Sequence, residues 1–273
     1  MSEAGKKIDD HAPPDLPAEA RDSYGDALDL GAAETLVLGF LAGVFIAFGS
    51  VAFLVVMAVP EGSVPFGILQ VGAGLAFSLG LILVLVAGAE LFTGNTLMLG
   101  RLFKGQSSFS AIGRAWALAW TGNLAGSVFV VVLFIAAGGH EAGEGLLASA
   151  ALEVAGQKTA KSAGATFASG ILANMLVCLA VWMSYAARTT QGKILALVPP
   201  IAAFVAAGLE HSVANMSLIP MGLGVMWLDP AAGADPSLGM GGMAANLFWA
   251  TLGNIVGGGL IAGCYWFAYD RDG

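Results

Sequence analysis

Six stretches of this chain carry no charge or almost none, and each is long enough to cross a lipid bilayer. They span residues 35–60, 62–100, 115–139, 162–187 and 194–228, with the sixth inside 236–269. A transmembrane helix needs about 20 predominantly apolar residues, and a soluble fold has no use for six such runs. Only 11% of the chain is charged, against about a quarter in ordinary soluble domains. The expectation is an all-α integral membrane protein with six transmembrane helices.

The remaining charges sort by side. Six crossings put Lys6, Lys7, Arg21, Arg101, Lys104, Arg114, Arg188, Lys193 and Arg271 on one face and only Lys158 and Lys161 on the other. Because cytoplasmic loops collect basic residues, that bias places both termini in the cytoplasm. Residues 1–31 hold eight carboxylates, three basic side chains and a Pro13-Pro14 pair. They read as an acidic, mostly disordered cytoplasmic arm rather than a cleaved signal peptide, since no basic segment leads into an apolar one. Residues 32–270 read as the transmembrane domain. A net charge of -8 argues against nucleic acid as a partner. Cys178 and Cys264 both lie in apolar runs and read as small core residues, with neither a metal site nor a disulfide framework implied.

Stretches two and five exceed what one crossing requires, and each carries an acid beside glycine. They match each other: Gly88-Ala89-Glu90 has Asn95 five residues on, and Gly208-Leu209-Glu210 has Asn215 five residues on. Stretches three and six match as well, through Gly122-Asn123 and Gly253-Asn254. The chain therefore reads as two halves of three helices. An odd number of crossings between them makes the repeat inverted, and paired interrupted helices then mark the substrate path. The interruptions are expected near residues 92–96 and 210–212. A break at membrane depth is tolerated only when buried in protein or lining a wet cavity, and two facing breaks would direct helix N-termini at an anion. For any single glycine, close helix packing is the alternative.

The residues that carry these patterns also carry a resemblance. The runs Gly88-Ala89-Glu90-Leu91-Phe92-Thr93-Gly94-Asn95-Thr96, Gly170-Ile171-Leu172-Ala173-Asn174, Gly208-Leu209-Glu210-His211-Ser212-Val213-Ala214-Asn215-Met216 and Gly253-Asn254-Ile255-Val256-Gly257-Gly258 resemble the formate/nitrite transporter family. The resemblance extends from about residue 32 to 270. It implies an aquaporin-like fold, a homopentamer with one pore per protomer in the bacterial inner membrane, and passage of small monovalent anions or their conjugate acids, without a cofactor. The Phe92-Thr93-Gly94-Asn95-Thr96 form resembles formate-type members, so formate comes first and nitrite second, with hydrosulfide and lactate carriers on the same framework.

His211 is the only histidine in a membrane stretch. Such a residue often serves packing alone, but ionisable groups inside membranes are functional by default, and this one matches the family's central pore histidine. Burial favours its neutral form, yet an ordinary imidazole titrates near physiological pH, which suits handing a proton to a passing anion. By the same resemblance Thr93 lies opposite it, although a threonine commonly satisfies its own helix carbonyl. Lys158 matches an outer-vestibule lysine that concentrates anions; Lys161 reads as its solvated neighbour, and either could be plain loop charge. Glu90 and Glu210 are expected to be structural, accepting backbone N–H groups at the breaks, with Lys158 a candidate partner for Glu210. Asn215 and Asn254 are expected beside the path, with Asn174 holding helices together or lining it. Phe77, Leu81, Leu91, Phe92 and Phe204 match the family's two constrictions, or serve the core. An apolar slit resists a hydrated anion and favours its neutral acid.

Other classes fit less well. An enzyme lacks its catalytic cluster, since neither a His-Glu-x-x-His run nor paired cysteines occur. An aquaporin-like neutral-solute channel would place proline after asparagine in each break, where Thr96 and Met216 stand.

Overall fold

The computed structural model describes residues 10–230 and 235–269, all helix and connecting turns. A helix α1 (Leu16–Asp29) precedes α2 (Ala32–Met57) and α3 (Phe66–Leu83). After α3 come the short α4 (Phe92–Asn95) and α5 (Leu99–Phe103), then α6 (Phe109–Ala136). The second half contains α7 (Leu146–Ala160), α8 (Ala163–Ala186), α9 (Thr190–Ala206), α10 (Ser212–Leu228) and α11 (Met240–Tyr269). Among the described residues five helical segments are long and apolar enough to cross a membrane: Ala32–Met57, Phe66–Gly88, Phe109–Ala136, Ala163–Ala186 and Met240–Tyr269. At 1.5 Å per residue, α2 alone reaches about 39 Å, more than the hydrocarbon core of about 30 Å. Phe66, Ile68, Val71 and Leu75 on α3, like Phe129, Val132 and Leu133 on α6, turn apolar side chains outward. That pattern suits lipid or a neighbouring subunit, not water.

Matched helices pack through glycine. A Cβ at Gly43 or Gly126 would run into the Asn123 and Phe40 carbonyls, so α2 and α6 meet backbone to backbone. In the second half a Cβ at Gly253 or Gly257 would strike the carbonyls of Phe167 and Ile171, bringing α8 and α11 equally close. Small residues permit this approach, which supplies the van der Waals contact that holds membrane helices together.

Two helices stop short at equivalent points. α3 runs into a π-helical turn, Val84–Gly88, ending at Gly88 with φ 85°. Residues 89–91 are extended until α4 begins at Phe92. α9 ends at Ala206, and Gly208 has φ 64°. The amide of Gly208 donates to the Val205 carbonyl and that of Leu209 to Phe204, the paired bonds of a glycine-terminated helix end. The first interruption thus precedes residues 92–96, where the sequence pattern put it. Those residues are helical again.

Two further expectations are corrected. Helix α1 is ordered, burying Leu16, Ala20 and Tyr24 while its acids face outward, because its apolar residues recur at helical spacing. The part of the arm at residues 1–9, with Lys6 and Lys7, and Arg271 lie outside the described residues. Cys178 is buried, but Cys264 is exposed on α11 and is not a core residue.

Candidate functional site

Each interruption is held by one asparagine from the matched helix of its own half. Asn123 on α6 accepts the Phe92 amide at 2.9 Å and donates to the carbonyls of Gly39 and Glu90 at 2.8 and 2.9 Å. Asn254 on α11 accepts the Ser212 amide at 2.9 Å and donates to the carbonyls of Gly170 and Glu210 at 2.8 and 3.0 Å. Each carboxamide satisfies the first amide of the resuming helix and a carbonyl of the extended segment. Away from water such groups would otherwise be left unpaired at considerable cost. Asn254 therefore spends its hydrogen bonds on backbone, and its counterpart Asn123, visible in the repeated Gly-Asn pair, has the same task.

The acids form a second matched pair. Asn95 donates to Glu90 Oε2 at 2.7 Å, and Asn215 donates to Glu210 Oε2 at 2.7 Å. Neither carboxylate caps backbone amides, contrary to the sequence expectation; side chains satisfy both. Glu210, only 1% exposed, also receives Asn246 Nδ2 at 3.2 Å, Lys158 Nζ at 3.3 Å and Lys161 Nζ at 2.7 Å. All these partners are donors, which requires the acceptor-only, ionised carboxylate. Lys161 is consequently no solvated bystander, and Asn246 had no signal in the repeat. Asn215 is buried beside the acid it holds.

Between the interruptions sits His211, 2% exposed. It is the N-cap of α10, its Nδ1 accepting the Ala214 amide at 3.1 Å. Its Nε2 lies 2.8 Å from Thr93 Oγ1 in α4. A neutral imidazole with an accepting Nδ1 carries its proton on Nε2. Nε2–H therefore donates to Thr93, and the Thr93 hydroxyl proton is free for another acceptor. The threonine carbonyl takes Asn174 Nδ2 at 3.2 Å, and the same amide reaches Thr96 Oγ1 at 2.9 Å and the Asn254 carbonyl at 2.6 Å. Asn174 thus ties the two halves directly beneath the pair.

A cavity of about 160 Å³ opens above the site, lined among others by Phe77, Phe204, Lys158, Lys161 and Glu210. The Phe77 and Phe204 rings meet edge to face at 5.7 Å, and Phe204 lies 5.6 Å from the His211 ring. Leu81, Leu91 and Phe92 are buried but do not line this cavity; Phe92 packs against Trp116 at 6.1 Å. From the other direction Tyr24 on α1 donates to the Gly94 carbonyl at 3.0 Å. Burial raises the Tyr24 phenol well above its ordinary range, keeping it a donor.

Membrane-length apolar helices around two interruptions, a buried imidazole bridging them and a lysine-bearing cavity at one end define an integral membrane transport protein. The chain belongs to the formate/nitrite transporter family: the model described as "Formate/nitrite transporter" matches residues 18–268, a span that begins inside α1. It is 37% identical over 252 residues to the formate channel FocA of Escherichia coli K12, covering 88% of this chain and 87% of that one. It is 40% identical over 204 residues to the nitrite transporter NirC of the same strain, covering 71% and 70%. A solved pentameric formate channel with formate bound superposes with a TM-score of 0.79 at 34% identity, over 88% of this chain and 98% of that one. These relatives are channels and transporters, not enzymes.

Proposed function

We propose that this protein passes small monovalent anions, formate first, through a pore in each protomer of a homopentamer. In this reading α2, α3–α5, α6, α8, α9–α10 and α11 are six crossings, the second and fifth interrupted, in two inverted halves with an aquaporin-like arrangement. The helices lie in a bacterial inner membrane with both termini cytoplasmic, and residues 1–31 form a cytoplasmic arm before the transmembrane domain of 32–270. The nine-to-two split of basic residues supports that orientation.

The observation that carries the proposal is the His211–Thr93 hydrogen bond at 2.8 Å, below the Phe77–Phe204 contact. A carboxylate entering from the cavity meets first the lysines and then apolar rings, where a bare charge costs at least several kcal/mol and a neutral acid far less. At the waist the free Thr93 hydroxyl donates to the anion while His211 Nε2–H supports it from behind. The pair assists protonation by holding the anion through these hydrogen bonds while hydronium reaching it from the cavity side delivers the proton with which it crosses as its acid; neutral His211 keeps its own Nε2 proton. Asn215 and Asn254 keep the walls of this path in place, and Leu81, Leu91 and Phe92 close it from the side of the first interruption.

The test is uptake of labelled formate, nitrite, lactate and hydrosulfide into proteoliposomes across a pH series. Formate flux exceeding the others supports the first choice. Preferential nitrite flux would move this chain to the second, which the NirC likeness favours. Flux of uncharged solutes alone would sink the anion reading.

A further inference from the structure

One carboxylate faces two ammonium groups at the cavity. Lys161 Nζ sits 2.7 Å from Glu210 Oε1, and Lys158 Nζ sits 3.3 Å from Glu210 Oε2, an oxygen already taken by Asn215 and Asn246. Lys161 thus has an oxygen to itself, whereas Lys158 competes for a crowded one. Lys161 also donates to the Gly208 carbonyl at 3.3 Å, at the C-terminal end of α9 where a cation is favoured. A single lysine against Glu210 would make a neutral pair with little pull on an anion.

We infer that Lys161 is the positioning cation of the vestibule: by occupying Glu210 it leaves the cluster with one net positive charge and frees Lys158 to gather the anion. The inference rests on the anion-channel reading above and adds to it the residue on which vestibule charge depends. The matched acid Glu90 is held by Asn95, with no lysine bonded to it among the described residues. The charge excess is thus a property of one half only. Cavity walls of low dielectric concentrate the field of that charge and raise the local anion concentration.

The experiment is formate or nitrite flux into proteoliposomes by K161Q, K161R and K161Q/E210Q over a range of substrate and salt concentrations. K161Q should raise KM about tenfold while maximal flux changes less than about twofold, the signature of lost capture rather than lost passage. Its KM should no longer rise with ionic strength as the wild-type value does. K161R should match wild type. K161Q/E210Q restores the net positive charge and leaves no unpaired carboxylate, so its KM should return toward wild type. Compared with E210Q alone, it also reports the Lys161 charge if K161Q does not assemble. A K161Q protein with wild-type KM and wild-type salt dependence overturns the assignment, as does equality of K161Q/E210Q and E210Q. Wild-type protein that passes no anion overturns the channel reading and this inference together.

Discussion

His211 faces two ways: its Nδ1 accepts the Ala214 amide at 3.1 Å and its Nε2 meets Thr93 Oγ1 at 2.8 Å. The first bond caps α10, and the second joins it to α4. In the proposed mechanism the structural and transport roles therefore fall on different ring nitrogens, and substitutions can separate them. His211→Phe removes both and should abolish or greatly slow formate flux without unfolding the protein. His211→Asn keeps a side-chain oxygen suited to an N-cap and should melt above the phenylalanine variant, yet carry no more formate. Flux by His211→Phe at the wild-type rate over the whole pH range would reduce the histidine to packing.

Thr93 is the complementary probe. Thr93→Ser keeps the hydroxyl and should stay within about threefold of wild-type flux. Thr93→Val keeps the shape, leaves Nε2–H without its acceptor at a cost of about 1–3 kcal/mol, and should lose flux at least tenfold. Equal flux from serine and valine variants would show that the hydroxyl is dispensable.

The asparagine clamps should behave as twins. Asn123→Ala and Asn254→Ala each strand one amide and two carbonyls, costing about 1–3 kcal/mol or more apiece. Thermal unfolding in detergent checks this: two comparable drops in Tm are expected, and a drop in only one would end the equivalence of the halves.

The N-terminal arm can be tested by truncation. Deleting residues 1–25 removes the Tyr24 bond to the Gly94 carbonyl, adjacent to Thr93, and three of the exposed acids of this segment, Asp15, Glu19 and Asp22. The oligomer should persist while the pH dependence of flux changes. Tyr24→Phe alone, losing one hydrogen bond worth about 1 kcal/mol, should shift it less. An unchanged pH profile after truncation would leave the arm a bystander.

Much of this architecture was legible because membrane segments announce themselves by missing charge and because the chain repeats itself. The Glu90/Asn95 and Glu210/Asn215 spacings gave the two acid clusters, and the Gly122-Asn123 and Gly253-Asn254 pairs pointed to the helices that hold the breaks. What stayed hidden depends on register in space. Lys161 looked solvated because nothing in the sequence says that α7 packs on α10 and lays both lysines on Glu210. Asn246 joins that cluster from α11 through the same three-dimensional accident of proximity. Helix α1 was missed because five exposed acids, Asp15, Glu19, Asp22, Asp26 and Asp29, outweigh its thin apolar stripe in any compositional reading. The first extended segment lies at residues 89–91, just ahead of the expected 92–96, because Phe92-Thr93-Gly94-Asn95 carries turn-forming residues yet begins a helix whose first amide Asn123 accepts.

The glycine contacts of α2 with α6 and of α8 with α11 bear on mechanics. Where backbone lies on backbone there are no long side chains to change rotamer and absorb a displacement, so each half is a stiff pair of struts. Neither pair can be drawn closer, and neither can take a larger residue at Gly43, Gly126, Gly253 or Gly257 without moving a helix backbone.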